Sequence, residues 1–402
     1  MQALKMRDLI DQLYADASGD QRDLLLGVID AIEGLTRQFD REFVKQCEQG
    51  KREYSELYQT MANLGLLGLG VPEQYGGTGG GLTAAVLMSD LLGQKGVASL
   101  SQILSGFSRH PILKHGTEEQ IQTFVVPTIS GQKSFCIMVT EPSAGTNTFA
   151  ITTNAKKTED GWRLNGQKTF ITQADKADYG LIVTRTGALQ GGDNRRDGIS
   201  LFVLDMNSKG IERQKLNINL GRSEDTQWNV FFDDVEMPEN ALIGPEGRGM
   251  LCMFDALNPE RFLISALALG FSEFVLGNTV DYVKQRSPFG RPTGSYQSVQ
   301  HPLAKSRIQL DAARLMLYQG TKVYDAGGEA GEYANAAKYL SSTFGTDTCD
   351  AAIQFHGGSG MDDDTDVLNI WKLLRTLRIA PINNEMVLNY VAEHSLGLPK
   401  SY

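Results

Sequence analysis

Apolar residues recur at helical spacing through most of the first 132 positions. Stretches such as RDLLLGVIDAIEGLTRQF, YSELYQTMANLGLLGL and AAVLMSDLLGQ place these residues three and four positions apart, which predicts amphipathic helices. The glycine-rich segment VPEQYGGTGGG between two of these stretches predicts a loop. Residues 1–132 are therefore predicted to form an N-terminal helical domain.

The spacing of apolar residues changes to every second position between residues 133 and 245. SFCIMVTE, AITTNAKKT, WRLNGQKTFITQ, YGLIVTRT, GISLFVLDM and TQWNVFFDDVEMP are short, rich in β-branched or aromatic residues and separated by turn residues. EDG at 159–161 predicts a hairpin turn. This block predicts a central β domain, a small barrel or sandwich.

Helical spacing returns from residue 246 to 402, so we predict a C-terminal helical bundle and an α+β multidomain fold overall. In DALNPERFLISALALG, we predict that Asn258 caps a helix, Pro259 takes its first position and Glu260 lies in its first turn. Two interpretations of Glu260 follow. It complements the positive end of a helix, or it performs chemistry there.

The net charge of −10 argues against nucleic-acid binding, because the chain has no basic excess to neutralise phosphates. The four cysteines are far apart, which is typical of reduced packing residues in an intracellular protein. The first residues lack the apolar core of a signal peptide, and no apolar run has the roughly 18 residues of a membrane span. We expect a cytoplasmic protein without a membrane partner. The cysteines are Cys47, Cys136, Cys252 and Cys349.

Familiar short motifs are absent. The sequence has no P-loop, HExxH, GxSxG or paired CxxC, so it predicts no metal site and none of the corresponding hydrolase or kinase sites. One GxGxxA match runs from Gly79 to Ala84, but it follows a glycine-rich loop and not a strand. It is therefore discounted as a dinucleotide-binding fingerprint.

Several longer stretches, in order along the chain, resemble the flavin-dependent acyl-CoA dehydrogenases. They are LGLGVPEQYGG, HGTEEQ, MVTEPSAGTN, LNGQKTFITQ, GRSEDTQWNVFFDDVEMPENALIGPEGRGM, RSPFGRPTGSYQSVQHPLAKSRI and QFHGGSGM. The resemblance implies FAD as cofactor, an acyl-CoA substrate and an electron-transfer flavoprotein as acceptor. It also implies a homodimer or homotetramer in which a neighbouring subunit completes the FAD site.

The resemblance assigns roles to particular residues. Around the flavin ring it implies Ile137, Val139, Thr140, Gly145, Thr146, Phe170 and Thr172. Toward the pyrophosphate, adenine and nucleotide phosphates it implies Arg286, Phe289, Gln297, Gln354, Gly357 and Gly358, with Asn383 also at the cofactor. Toward the substrate it implies Thr146, Arg261, Leu100 and Leu104.

The catalytic base departs from the common family pattern. Most members carry a glutamate in a C-terminal YEGT motif, but here that position falls on Pro381, and Asn383 replaces the threonine. A minority of members place the glutamate on an internal helix just before an arginine, where Glu260 stands. The resemblance therefore implies Glu260 as the base that removes the α-proton, with Glu385 a distant second candidate.

Pro381 also lacks the backbone N–H that helps relatives bind the thioester oxygen, although a shift in register would make Ile382 the donor. These departures leave other functions on the same fold open: an oxidase, a desulfinase, a monooxygenase-like enzyme, or a non-catalytic subunit of a heteromeric dehydrogenase. The sequence does not specify the acyl group, nor whether CoA or a carrier protein bears it.

Overall fold

The order of elements is helices, then strands, then helices, which confirms the predicted α+β architecture. The computed structural model describes residues 2–15, 19–188 and 197–401. The α-helices in the described residues are α1 (Gln2–Leu13), α2 (Gly19–Leu35), α3 (Arg41–Glu48), α4 (Ser55–Asn63), α5 (Gly81–Gln94), α6 (Ser101–His115), α7 (Glu118–Gln120), α8 (Val126–Ile129), α9 (Gly249–Gln285), α10 (Gln297–Asp325), α11 (Gly331–His356), α12 (Val367–Thr376) and α13 (Asn384–His394).

The chain forms two compact units. Unit 1 comprises Met1–Val71, Thr78–Ala98 and Glu260–Tyr402, and unit 2 comprises Pro72–Gly77 and Ser99–Pro259. This division into two units does not follow the predicted domain boundaries at 1–132, 133–245 and 246–402. Those boundaries stay a prediction from the sequence.

In unit 1, helix α5 crosses helix α9 at a pair of glycines. A Cβ atom at Gly93 would lie 2.9 Å from the Cα of Gly270, and one at Gly270 would lie 2.2 Å from the carbonyl oxygen of Asp90. Only residues without a side chain allow this approach of two backbones. Next to the crossing, Arg314 of α10 binds both Asp90 (3.0 Å) and Glu273 (3.2 Å). The depth and rotation of α9 within unit 1 are therefore closely fixed.

The N-terminus of α5 carries the GxGxxA match. The Asp325 carboxylate accepts hydrogen bonds there from the backbone N–H groups of Leu82 (2.7 Å) and Thr83 (3.0 Å) and from the Thr83 hydroxyl (2.6 Å). An acid from α10 thus occupies the position where a phosphate would bind.

The strands of unit 2 are β1 (Phe135–Met138), β2 (Asn154–Lys157), β3 (Gly161–Thr172), β4 (Tyr179–Arg185), β5 (Ile199–Asp205), β6 (Ile211–Lys215), β7 (Gln227–Pro238) and β8 (Leu242–Ile243). They form one mixed sheet with the strand order β6-β7-β3-β2-β4-β5-β8, and β1 pairs in parallel with β4. The predicted turn at 159–161 joins β2 to β3 as an antiparallel hairpin. The sheet contains two strands, β6 and β8, that were not recognised in the sequence.

The predicted start of the long C-terminal helix is wrong. Helix α9 begins at Gly249 and runs through Pro259, so Asn258 is not its cap and Glu260 is not in its first turn. Proline removes one backbone hydrogen bond inside a helix, but the favourable helical sequence before it carries the helix through. The positive end of the helix dipole therefore does not explain an acid at position 260.

Helix α9 is long and apolar enough to cross a membrane by length and composition, with a mean hydropathy of 1.5 over its most apolar window. Of that window, 78% is buried inside the protein. Core helices of soluble proteins show the same combination, so the helix is weak evidence for a membrane span.

Candidate functional site

The end of strand β1 leads into a loop of small residues in unit 2. Ile137 lies on β1, and Val139 and Thr140 follow it directly; all three are half-buried. Gly145 and Thr146 lie further along the loop and are exposed. The structure thus places these five predicted flavin contacts on one continuous segment with accessible backbone.

Strand β3 brings Phe170 and Thr172 to the same region. The backbone N–H of Thr169 donates to the carbonyl of Thr140 over 2.9 Å, which joins β3 to the segment after β1. The pairing of β3 with β7 is irregular between Lys168 and Ile171, and Phe170 has φ 57. This irregularity turns the Phe170 ring outward, and 58% of the residue is exposed.

Helix α6 borders this region and carries the predicted substrate contacts. The Ser105 hydroxyl accepts a hydrogen bond from the backbone N–H of Phe135 over 3.0 Å, which attaches α6 to β1. Leu100 is buried at the start of α6, and Leu104 is half-buried one turn later. The structure therefore brings the predicted acyl and flavin contacts of unit 2 together.

Two residues that the sequence analysis missed connect these contacts. The Gln227 amide donates to the Thr172 hydroxyl over 2.8 Å and to the Asp225 carbonyl over 3.3 Å. The buried Asp225 carboxylate in turn accepts the backbone N–H of Leu100 over 3.1 Å. Both lie in the family-like stretch GRSEDTQWNV, and that was the available signal.

Glu260 lies inside helix α9 in unit 1. Its side chain is half-buried, and among the residues that the structure describes none forms a hydrogen bond with its carboxylate. Burial raises the pKa of Glu260 to about 7, although the neighbouring positive charge of Arg261 acts in the opposite direction. Burial likewise lowers the pKa of Arg261, and the charge of Glu260 opposes that change. The rival acid Glu385 lies exposed in the first turn of α13, so its position fits an ordinary helix-start residue.

A buried lysine fixes the segment that replaces the common family motif. Lys338 of α11 donates to the carbonyl oxygen of Ile382 and, over 2.7 Å, to the side-chain oxygen of Asn384. Burial, together with the positive charge of Arg261, lowers the pKa of Lys338 to about 7. Lys338, which the sequence analysis did not select, therefore holds the segment from Pro381 to Asn384 in place through these hydrogen bonds.

Asn383 has a structural role at the start of α13. Its side chain accepts the backbone N–H of Met386 over 2.9 Å, which makes Asn383 the N-cap of that helix. The predicted contact of Asn383 with the cofactor stays a prediction.

The predicted nucleotide contacts cluster at another end of unit 1. Tyr282 in the last turns of α9 stacks on His356 at the end of α11, with ring centroids 4.3 Å apart. Arg286 follows Tyr282 by one turn, and Gly357 follows His356 directly. The structure thus brings the arginine and the glycine pair to neighbouring helix ends. Also exposed in this part of the chain are Phe289, Gln297, Gln354 and Gly358.

Helix α9 separates Glu260 from this cluster. The segment from Glu260 to Gln285 is helical throughout, and Gln285 lies about 38 Å along the axis from Glu260. Glu260 and Arg286 of one chain therefore do not face the same reacting group.

The residues present fit FAD. An aromatic side chain that is 85% exposed, Phe289, stands three positions after Arg286, whose guanidinium is suited to paired phosphate contacts. A Cβ atom at Gly357 or Gly358 would meet nothing within 4 Å, so the backbone there is open to a phosphate. In unit 2 the exposed Phe170 ring and the small-residue loop suit a flat, largely apolar ring system.

Three family models match the chain in consecutive segments. They are the acyl-CoA dehydrogenase N-terminal domain over residues 28–132, the middle domain over residues 136–235 and the C-terminal domain over residues 247–396.

Individual proteins show similarity over nearly the whole chain. Acyl-CoA dehydrogenase FadE12 of Mycobacterium tuberculosis is 36% identical, covering 92% of this chain and 96% of its own length. CarC, a subunit of the caffeyl-CoA reductase–Etf complex of Acetobacterium woodii, is 28% identical, with coverages of 85% and 90%.

Two solved structures have the same fold. Butyryl-CoA dehydrogenase from Megasphaera elsdenii superimposes with a TM-score of 0.86 at 28% identity, covering 94% of this chain and 98% of that one. PigA in complex with FAD gives 0.85 at 27% identity, with coverages of 95% and 98%.

Proposed function

Because the chain belongs to the acyl-CoA dehydrogenase family and is an FAD-dependent oxidoreductase, we propose that it desaturates an acyl-CoA thioester with Glu260 as the base. One observation carries this proposal. Glu260 is a half-buried carboxylate with a pKa of about 7 and no hydrogen bond to any residue that the structure describes. Such a group accepts a proton near neutral pH.

The reaction forms a double bond between Cα and Cβ of the acyl chain. The Cα proton passes to the Glu260 carboxylate, and the hydrogen at Cβ leaves with its electron pair. FAD, when bound, supplies the acceptor for that hydride at N5. The surroundings of Glu260 favour proton uptake, because burial disfavours the charged carboxylate.

Negative charge that develops on the thioester oxygen needs a hydrogen-bond donor. Pro381 has no N–H, so the usual position in the family supplies none. The Ile382 N–H forms no hydrogen bond within the described parts of the chain, and Lys338 holds the carbonyl of the same residue. We assign Ile382 as the donor, with Lys338 fixing its orientation.

Anaerobic bleaching of the flavin by a panel of acyl-CoA thioesters tests the proposal. Glu260→Gln keeps the size of the side chain but cannot take the proton, so we expect FAD to stay bound and flavin reduction to slow by at least ~100-fold. Unchanged reduction in this variant would move the base to another residue. The chain length that bleaches fastest would identify the substrate class.

The electron acceptor separates dehydrogenase from oxidase. The departures at Pro381 and Asn383 are the features that favour the oxidase alternative. We expect the reduced enzyme to pass electrons to an electron-transfer flavoprotein and to form little peroxide under air. Rapid peroxide formation with acyl-CoA would establish the oxidase instead.

We propose that the protein assembles as a homodimer or homotetramer, and the separation between Glu260 and Arg286 supports this, since a second copy can supply Arg286 to the first site. Exposed apolar residues support an assembly: Ile308 and Leu315 of α10 are 70% and 52% exposed. Replacing both with glutamate should shift the sedimentation coefficient toward the monomer and lower the FAD content. An unchanged oligomer would place the interface elsewhere.

A further inference from the structure

An ion pair lies beneath the loop that leads to Gly145 and Thr146. Lys168 of β3 and Glu141 have side chains that are 0% and 1% exposed, and Lys168 Nζ lies 2.8 Å from Glu141 Oε1. A lysine in a strand usually faces solvent, and burying two charges is costly unless both are fully bonded. Neither residue is among the predicted flavin or substrate contacts.

The pair joins two segments that carry flavin contacts. Lys168 Nζ also donates to the carbonyl of Val139 over 2.9 Å. Lys168 lies two positions before Phe170, and Glu141 directly follows Thr140. The ammonium group therefore holds the segment that follows β1 against β3. The contact lies where the second irregularity in the pairing of β3 with β7, between Lys168 and Ile171, begins.

Glu141 also fixes the far side of the loop. Its carboxylate accepts the backbone N–H groups of Thr152 (2.7 Å) and Thr153 (3.0 Å) and the Thr152 hydroxyl (3.0 Å). Arg185 adds hydrogen bonds to the carbonyls of Phe149 (2.7 Å) and Ile151 (3.1 Å). The loop at 142–148 is thus anchored on both sides while its middle stays exposed.

Burial lowers the pKa of Lys168 to about 8, while Glu141 keeps its charge. Burial pushes the pKa of Glu141 upward, but the charge of Lys168 and the hydrogen bonds outweigh this effect and lower the pKa below its ordinary value. The carboxylate is therefore ionised and its oxygens are occupied, so it is unsuited to act as a base.

We propose that Lys168 and Glu141 are positioning residues for FAD, which hold the loop at 142–148 and the Phe170 segment in one rigid arrangement. They act through the backbone of their neighbours and not by contact with the reacting atoms. The inference rests on FAD binding at this segment and is independent of the acyl substrate and of the role of Glu260.

Lys168→Met tests the proposal. We expect the variant apoprotein to bind FAD more weakly, on the order of 10–100-fold, by analogy with residues that support the direct ligands of a bound metal ion. Hydrogen exchange at the amides of Thr152, Thr153 and Thr169 should become faster. FAD affinity is measured by fluorescence titration of the apoprotein, so no acyl-CoA is needed and a failed Glu260→Gln experiment would not affect the result.

Controls separate positioning from general destabilisation. Lys157→Met removes an exposed pair with Glu239 on the same sheet and should change FAD affinity less than about twofold. Lys168→Arg keeps the charge and should restore part of the affinity. A folded Lys168→Met protein with unchanged FAD affinity and loop exchange would overturn the proposal. If that variant is insoluble, Glu141→Gln is judged by the same criteria, and insolubility of both would assign the pair to folding and overturn the proposal.

Discussion

Glu141 and Glu260 are both carboxylates withdrawn from solvent, one in each compact unit, and their surroundings are opposite. Lys168 and the Thr152–Thr153 backbone saturate the oxygens of Glu141, whose pKa is lowered. No described residue forms a hydrogen bond with Glu260, and its pKa is raised to about 7. The difference teaches that burial alone does not single out a candidate base. A carboxylate withdrawn from solvent and without donors is the better candidate, because its oxygens remain free to take a proton.

The other buried acids resemble Glu141. Within the described ranges, each has a hydrogen-bond or ion-pair partner that compensates for the loss of water. They are Asp90, Asp225, Glu273 and Asp366.

Breaking the pair at Glu141 should have the largest effect. Glu141→Leu leaves the Lys168 ammonium buried without its counter-charge, so we expect a loss of about 3–5 kcal/mol in the free energy of unfolding. Adding Lys168→Met should recover most of this loss, because both charges are then absent. Urea unfolding followed by tryptophan fluorescence measures both. A Glu141→Leu protein whose free energy of unfolding lies within about 1 kcal/mol of that of the parent protein would contradict the comparison.

Glu260→Gln should change stability in the other direction. The raised pKa means that ionisation of Glu260 destabilises the folded state. This destabilisation is absent below pH 4.5, the ordinary pKa of the group, grows as the pH rises to about 7 and is complete above that pH. Glutamine removes the penalty, so at pH 8 we expect a gain of up to about 3 kcal/mol, reduced by the partial exposure of the side chain. At pH 4.5 the gain should vanish. If the variant and the parent protein had the same unfolding curve at pH 8 as well as at pH 4.5, the raised pKa of Glu260 would be contradicted.

The pH dependence of flavin reduction sharpens the same contrast. Glu260 must be deprotonated to act as a base, so below about pH 7 the rate should fall about tenfold per pH unit, and above it should level off. Anaerobic stopped-flow reduction between about pH 5.5 and 8.5 gives this profile. An inflection near the ordinary glutamate value would show that Glu260 is not the group that titrates.

Glu385→Gln should have the smallest effect. Glu385 is exposed in the first turn of α13, so we expect less than about a twofold change in flavin reduction. The experiment is the matched control for Glu260→Gln. A loss of tenfold or more would make Glu385 a rival base.

The alternation of apolar residues was enough to predict most of the sheet, but not its edges. Strands β3, β4 and β5 have clear apolar patterns. Strand β6 reads IERQK and has one apolar residue, which is typical of a charged edge strand, and β8 has only two residues. Their pairing depends on neighbours distant in the chain, and a local pattern does not contain that information.

The site was predicted unevenly for a similar reason. Family resemblance selected Glu260, although its place in the helix was wrong because Pro259 was taken as a helix start. Lys168 was missed because lysine is usually exposed. The alternation along β3 did not reveal it, because the pairing with β7 shifts register between Leu164 and Gly166, and Gly166 is exposed although it has the same parity as Lys168. The partners of a buried charge come from other segments of the chain, so a local pattern does not identify them.

The glycine crossing of α5 and α9 also governs where the Glu260 carboxylate points. Gly270 lies ten residues after Glu260 on the same helix, and each residue turns an α-helix by about 100°. Because Gly93 and Asp90 permit only one angular setting of α9 at Gly270, inserting or deleting a single residue between positions 260 and 270 would swing the acid about 100° around the axis. A substitution between these positions leaves their angular relation unchanged, whereas a change in the length of the interval does not.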